Sequence, residues 1–198
     1  MPTSVNFPIN KTRKANIYNF MYWSIIMEQD EIRKAISEGK IFIYPTDTIY
    51  GLGCDAENEK AVEKIRKIKK RDMKSFSVIA PSIKWIEDNL IVDVDLKKYL
   101  PGAYTIILRK KNPEFLSWVS SNESLGVRIP KNRFCNKIRE TGIPFITTSV
   151  NFSGKKPANK ISEISEEIKT QVDIIVDEGE LEGKPSKLII GGKIIERR

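Results

Sequence analysis

The segment that most narrows the fold is residues 44–53, Tyr-Pro-Thr-Asp-Thr-Ile-Tyr-Gly-Leu-Gly. Ile41-Phe42-Ile43-Tyr44 at its front is β-branched and aromatic, the composition of a buried strand. Behind it, Ala61, Val62, Ile65 and Ile68 recur at helical spacing after Asn58, a residue that opens helices well. A strand that breaks into Pro, Thr and Gly and then feeds a helix sets backbone N–H groups and hydroxyls at a sheet edge, where ligands are commonly held. The helix runs into Lys69-Lys70-Arg71, so cations stand beside that edge. The segment is therefore a ligand-site candidate: a hydroxyl-rich turn, closed by two glycines, next to a basic helix end.

Two familiar phosphate motifs do not account for it. Gly51-Leu52-Gly53-Cys54-Asp55-Ala56 spells G-x-G-x-x-G/A, but that fingerprint needs its first glycine at the strand end and an acidic residue closing the next strand. Here six residues separate Tyr44 from Gly51, and the next apolar strand, 76–80, runs into Pro81-Ser82. No G-x-x-x-x-G-K-[ST] occurs in the chain.

The chain has no histidine, which removes histidine general bases, Ser-His-Asp triads and His-ligated metals together. Cys54 and Cys135, far apart and without C-x-x-C spacing, read as packing residues in a reducing compartment. The net charge of +8 is unevenly distributed. Residues 1–26 hold Lys11, Arg13 and Lys14 with no acid, which leaves +5 for the rest. Between Glu59 and Lys74 eight basic residues face only Glu59, Glu63 and Asp72, so one helix and its exit carry that excess. No apolar run reaches the roughly 20 residues that span a bilayer, and 20–27 is too short for a secretory signal; a cytoplasmic protein is expected.

A length of 198 residues suits one domain. Residues 1–26 show neither helical nor strand period and are expected to be a flexible tail or to precede the true start, with the domain at 27–198. Helices are expected at 29–38, 58–71, 82–86, 93–100, 133–140 and 162–170. Strands are expected at 41–44, 76–80, 104–108, 125–129, 144–148, 174–176, 188–190 and 193–196. Helices and strands mix without strict alternation, which predicts an α/β fold of the α+β type: three layers on a mixed, twisted open sheet.

Three strand ends are rich in hydroxyls, amides or cations: Thr46/Thr48, Ser124/Arg128 and Thr147/Ser149/Asn151. Arg128 interrupts an apolar strand, where a guanidinium is costly without an anion; a structural ion pair is as good a reading as a ligand site. Residues 149–154 have the composition of an ordinary turn, and the basic helix that of a solvated face. Their convergence points to anion binding without a carboxylate pair, the pattern of phosphoryl or nucleotidyl transfer.

Five ordered segments make a more specific case: 44–53, Lys-x-Arg at 69–71, Pro-Gly-x-Tyr-Thr at 101–105, Gly-Val-Arg-Ile-Pro at 126–130, and Ser-x-Asn-x-Ser-Gly at 149–154. In this order and spacing the chain resembles the YrdC/Sua5 family from about residue 28 to 198, in its short, single-domain form. The resemblance implies an L-threonylcarbamoyladenylate synthase, a nucleotidyltransferase that joins L-threonine, bicarbonate and ATP, with Mg2+ accompanying the ATP, and releases pyrophosphate. Its product serves the t6A modification of tRNA through the t6A transferase machinery. By motif, Lys69, Arg71, Ser149 and Asn151 match the catalytic and nucleotide-binding tetrad, and Ser75, Ser124 and Arg197 fall at further ATP positions. Thr48, Arg128, Thr147 and Ser186 fall at threonine-contacting positions, and no metal ligand is implied. The chain departs from the family pattern at Ala103, Lys187 and Asp72, and at its C-terminus, where Ile195-Glu196-Arg197 stands for Leu-Arg-x-Gly. The alternative is a non-catalytic member that binds double-stranded RNA or tRNA through the basic face.

Overall fold

The computed structural model describes residues 21–24, 27–70 and 74–196. In chain order it contains β1 (Met21–Ser24), α1 (Gln29–Ser37), β2 (Phe42–Tyr44), β3 (Gly51–Gly53), α2 (Glu59–Ile68), β4 (Ser77–Ile79), α3 (Ile83–Asn89) and β5 (Leu90–Ile91). There follow β6 (Tyr104–Lys110), β7 (Ser124–Arg128), α4 (Arg133–Glu140), β8 (Phe145–Ser149), α5 (Glu166–Lys169), β9 (Ile174–Asp177), β10 (Lys187–Ile190) and β11 (Lys193–Ile195). Side-chain caps fix the starts of α2, α3 and α4. Asn58, Ser82 and Asn132 accept from the backbone N–H groups of Ala61, Trp85 and Cys135, satisfying donors that a first helical turn leaves unpaired.

All eleven strands join one mixed sheet in the order β1-β9-β2-β3-β8-β4-β7-β6-β10-β11, with β5 pairing with β6. Neighbours are parallel at β1/β9, β2/β9, β4/β7 and β6/β10, and antiparallel elsewhere. One face packs against α1 and α4 through Ile32, Ile36, Phe134 and Ile138, which meet Phe42, Tyr44, Ile79 and Phe145 of the sheet. The opposite face packs against α2 and α3 through Val62, Ile65, Ile68 and Ile86. Helices on both sides of the sheet make the expected three layers. Cys54 and Cys135 are buried free thiols in this packing, and burial pushes both thiols up out of the reactive range.

The structure departs from the sequence reading in several places, among them the unexpected short strand β5 beside β6. Gly51–Gly53, read as part of a turn, is a strand between β2 and β8. A Cβ at Gly53 would lie 2.1 Å from the Ile146 carbonyl oxygen, so glycine is what lets β3 approach β8 this closely. The expected helix at 162–170 is divided into a 3-10 turn, Ile161–Glu163, and the short α5, because Ser165 caps a new start by accepting from Ile168 N. The expected helix at 93–100 is a single 3-10 turn, Leu96–Lys98. Finally, Met21–Ser24 runs parallel to Ile174–Asp177 at the sheet edge, so these four residues of the expected tail are paired strand.

Candidate active site

The face of the sheet covered by α1 and α4 continues past those helices onto bare strands. Side chains alternate between faces along a strand, so Phe145, Thr147 and Ser149 of β8 share one side, as do Ile79 and Ser77 of β4. Phe145 and Ile79 lie in the core beneath the helices, while Thr147, Ser149 and Ser77 line a cavity of about 290 Å³. Register brings the polar residues together: Ser77 stands opposite Thr147 on one side and Gly126 on the other, and Gly51 opposite Ser149. A Cβ at Gly126 would approach Ser77 Oγ to 2.6 Å, so glycine keeps this floor low. Thr105 of β6 and Ser186, just before β10, complete it, their hydroxyls 2.8 Å apart and buried.

One wall is the β2–β3 turn. Thr46 Oγ1 hydrogen-bonds Thr48 Oγ1 at 2.8 Å, donates to Ile49 O at 2.7 Å and accepts from the N–H groups of Thr48 and Ile49. This buried hydroxyl satisfies the turn's own backbone and fixes the Thr48 hydroxyl toward Arg128. Arg128, at the end of β7 and 5 % exposed, donates through Nη2 to Asp47 Oδ1 at 2.6 Å, and both Nη atoms lie 3.3–3.4 Å from Thr48 Oγ1. The structural ion pair is therefore real, and Asp47 also accepts from Lys131 N. Yet the pairing is incomplete: Arg128 Nε is buried with no partner among the described residues. A guanidinium with one orphaned donor, lining a hydroxyl-rich cavity, can take a carboxylate.

The opposite wall is the segment after β8. Asn151, Gly154, Lys155 and Pro157 line it. Lys69, just past α2, is 1 % exposed, and its ammonium donates to the carbonyls of Ser149 and Asn151, with Asn151 Oδ1 at 3.4 Å. The family motif assigns Lys69 to the nucleotide; in this structure its ammonium grips the backbone that presents Ser149 and Asn151. Three further cations of this helix and its exit are also engaged. Lys64 pairs with Asp173, Arg66 donates to the carbonyls of Lys74, Trp118 and Val119, and Lys70 pairs with Glu167.

Of the residues singled out from sequence, Thr48, Arg128, Thr147, Ser149, Asn151 and Ser186 line the cavity. Ser75 and Ser124 sit outside its lining, joined through Ser120, whose Oγ is 2.9 Å from Ser75 Oγ and donates to Ser124 O. Arg71 and Arg197 lie outside the described residues. Thr46, Ser77, Thr105 and Lys155 line the cavity without having been singled out as site residues, Thr46 having been noted only as part of a hydroxyl-rich strand end. Ser77 carried a usable signal, a lone hydroxyl within an apolar strand, the same kind of anomaly that marked Arg128. None of the described lining residues is acidic, and burial pushes the hydroxyls of Tyr44 and Tyr50 upward, so both stay neutral.

The Sua5/YciO/YrdC family model, described as telomere recombination, matches residues 34–194. The chain belongs to this family. Among curated relatives in it, a putative threonylcarbamoyl-AMP synthase of Methanocaldococcus jannaschii is 38 % identical over 80 % of this chain and 77 % of its own. A threonylcarbamoyl-AMP synthase of Marinobacter nauticus is 32 % identical over 79 % and 87 %. Among solved structures, Sua5 of P. abyssi complexed with L-threonine superposes with a TM-score of 0.73 at 28 % identity, covering 86 % of this chain. The present chain spans only 54 % of that Sua5. YciO of E. coli also gives 0.73, at 27 % identity, with 86 % of this chain and 90 % of YciO covered.

Proposed function

We propose that the protein is an L-threonylcarbamoyl-AMP synthase, acting on L-threonine, bicarbonate and ATP. The observation that carries the reading is Arg128: a buried cation with one donor unpartnered, in a cavity floored by Ser77, Thr105, Thr147 and Ser186. That donor set matches threonine, whose carboxylate suits a guanidinium and whose hydroxyl suits the Thr and Ser groups. The names of the relatives and the threonine complex of Sua5 support the same substrate.

In this reading the threonine amine and bicarbonate form a carbamate with loss of water. A carbamate oxygen then attacks the α-phosphorus of ATP, and the bond to the β-phosphate breaks as pyrophosphate leaves. Ser149 and Asn151 would meet the nucleotide, with Lys69 holding their loop; Arg71, Ser75, Ser124 and Arg197 are assigned to ATP by family motif alone. None of the described lining residues is a carboxylic acid or a neutral-pH base, so the chain contributes orientation and positive charge. Mg2+ would arrive with the ATP phosphates. The hydroxyl, amide and cationic lining fits an ion brought by its substrate, and no group of three or more His, Cys, Asp or Glu side chains among the described residues could hold a metal.

The product would pass to the t6A transferase machinery in the cytoplasm; among the described residues no helix is long and apolar enough to cross a membrane. Binding of tRNA or double-stranded RNA would be weak, because three exposed or half-buried cations of the basic helix, Lys64, Arg66 and Lys70, already engage protein groups. The test is pyrophosphate release with each substrate omitted in turn. Release is expected only with L-threonine and bicarbonate both present; release indifferent to threonine overturns the assignment.

A further inference from the structure

The cavity's threonine side is closed by an irregular strap, residues 178–186, which runs from β9 to β10 and ends on Pro185 and Ser186 in the cavity wall. With so few sheet contacts of its own, the strap depends on discrete ties. At its start, Glu178 N donates to Tyr50 Oη, which in turn lies 3.0 Å from Asp177 Oδ1 and 2.8 Å from Gly179 O. At its middle Asn159 makes three ties, beside an exposed ion pair of Lys160 with Glu180 at 3.5 Å. Asn159 Nδ2 donates to Leu181 O at 2.5 Å and Gly183 O at 2.9 Å, and Asn159 O accepts from Leu181 N at 2.8 Å. The strap is pressed hard where Asn159 holds it: a Cβ at Gly183 would lie 2.1 Å from Thr48 O. Asn159 is itself fixed, its N–H donating to Glu163 and its neighbour Ala158 accepting from Tyr50 N.

We infer that Asn159 is a positioning residue for threonine recognition. Its amide seats Gly183 on the backbone of Thr48, and so holds the strap that carries Ser186 against Thr105. The inference rests on the threonine reading of the cavity and adds a residue that touches no substrate. The chemistry of the contact is demanding: one primary amide donates to two carbonyls while the backbone carbonyl of the same residue accepts from Leu181 N, and neither aspartate nor alanine can supply the side-chain donors. Gly183 offers an independent lever on the same contact, since any side chain at that position displaces the strap from Thr48 without altering Asn159.

The experiment compares wild type, Asn159→Asp, Asn159→Ala and Gly183→Ala. Amide hydrogen exchange without substrates reads the strap itself. The Leu181 and Gly183 region should exchange about tenfold faster in the Asn159 variants, while α2 and β8 stay protected. Steady-state pyrophosphate release reads the consequence. KM for L-threonine should rise roughly tenfold in all three variants, the scale of losing one or two net hydrogen bonds, with kcat and KM for ATP within about twofold. A merely structural role would lower folded protein or kcat without that split. Faster exchange with unchanged threonine KM, or unchanged exchange, overturns the inference. A wild-type protein indifferent to threonine would overturn the functional reading, and exchange at Leu181 would still decide whether Asn159 holds the strap.

Discussion

One sheet face serves two purposes, and the residues that separate them are two positions apart. Under α1 and α4 the face presents Phe42, Tyr44, Ile79 and Phe145, with Phe145 edge-on to both Phe42 and Tyr44 at ring-centroid distances of 5.6 Å. Beyond the helices β4 and β8 present Ser77, Thr147 and Ser149, with Gly51 of β3 and Gly126 of β7 beside them. The first half gains stability by excluding water and filling space. The second keeps its floor side chains short and hydroxylated, and holds the buried cation Arg128, whose partner Asp47 leaves a donor unused. Rigid packing next door lets a floor of small polar groups hold its geometry without being packed itself.

Substitutions can break this division. The largest effect is expected at Arg128, which belongs to the site yet is buried like core. Arg128→Ala strands Asp47 and should cost about 3–5 kcal/mol of stability, together with a loss on the order of 10²–10³ in threonine-dependent kcat/KM. Arg128→Met with Asp47→Leu should return stability to within about 1 kcal/mol of wild type while threonine binding stays lost. Denaturant unfolding beside threonine titration separates the two. Recovery of threonine binding in the double variant would mean that Arg128 is only a structural ion.

Phe145→Ala should cost about 3–5 kcal/mol, measured by denaturant melts, with threonine KM close to wild type in the folded fraction. Thr147→Val, two residues on, should invert that pattern: stability lowered by only about 1 kcal/mol, the scale of one lost hydrogen bond in a side chain of the same shape, and threonine KM raised several-fold. If the two variants behave alike, the division along β8 fails. The smallest effect is expected from removing residues 1–26. Losing the paired Met21–Ser24 edge should cost about 1 kcal/mol, or 2–4 °C in Tm for a chain of this size, and leave threonine KM untouched.

The sequence revealed most of what depends on local pattern. Helices α1 and α2 followed from apolar spacing and, for α2, from the Asn58 opening; α4 followed as a run ahead of Gly142, and the strands around Val78, Val127 and Ile146 from β-branched runs. Gly51–Gly53 was hidden because glycine ordinarily weakens strands; only the approach of β8 explains it. Arg128 and Thr48 were legible as anomalies of chemistry. The Asn159 ties were not, because they join backbone carbonyls far along the chain and leave no periodic trace. Lys69 was legible as a cation but not as a tether, since nothing in a lysine's spacing tells which carbonyls it will meet.

Because β8 supplies both the aromatic core and the polar floor, its numbering parity is fixed even where its residue types are not. Deleting Ile146, which lies between Phe145 and Thr147, would turn the rest of the strand over, sending Thr147 toward the apolar layer under α2 and Val150 to the place of Ser149 on the hydroxyl floor. Fold and site would fail together, whereas a change of letter at either position touches one alone. A lineage carrying this sheet can therefore explore new pockets by substitution along β8, but its strand length is open to change only in steps of two.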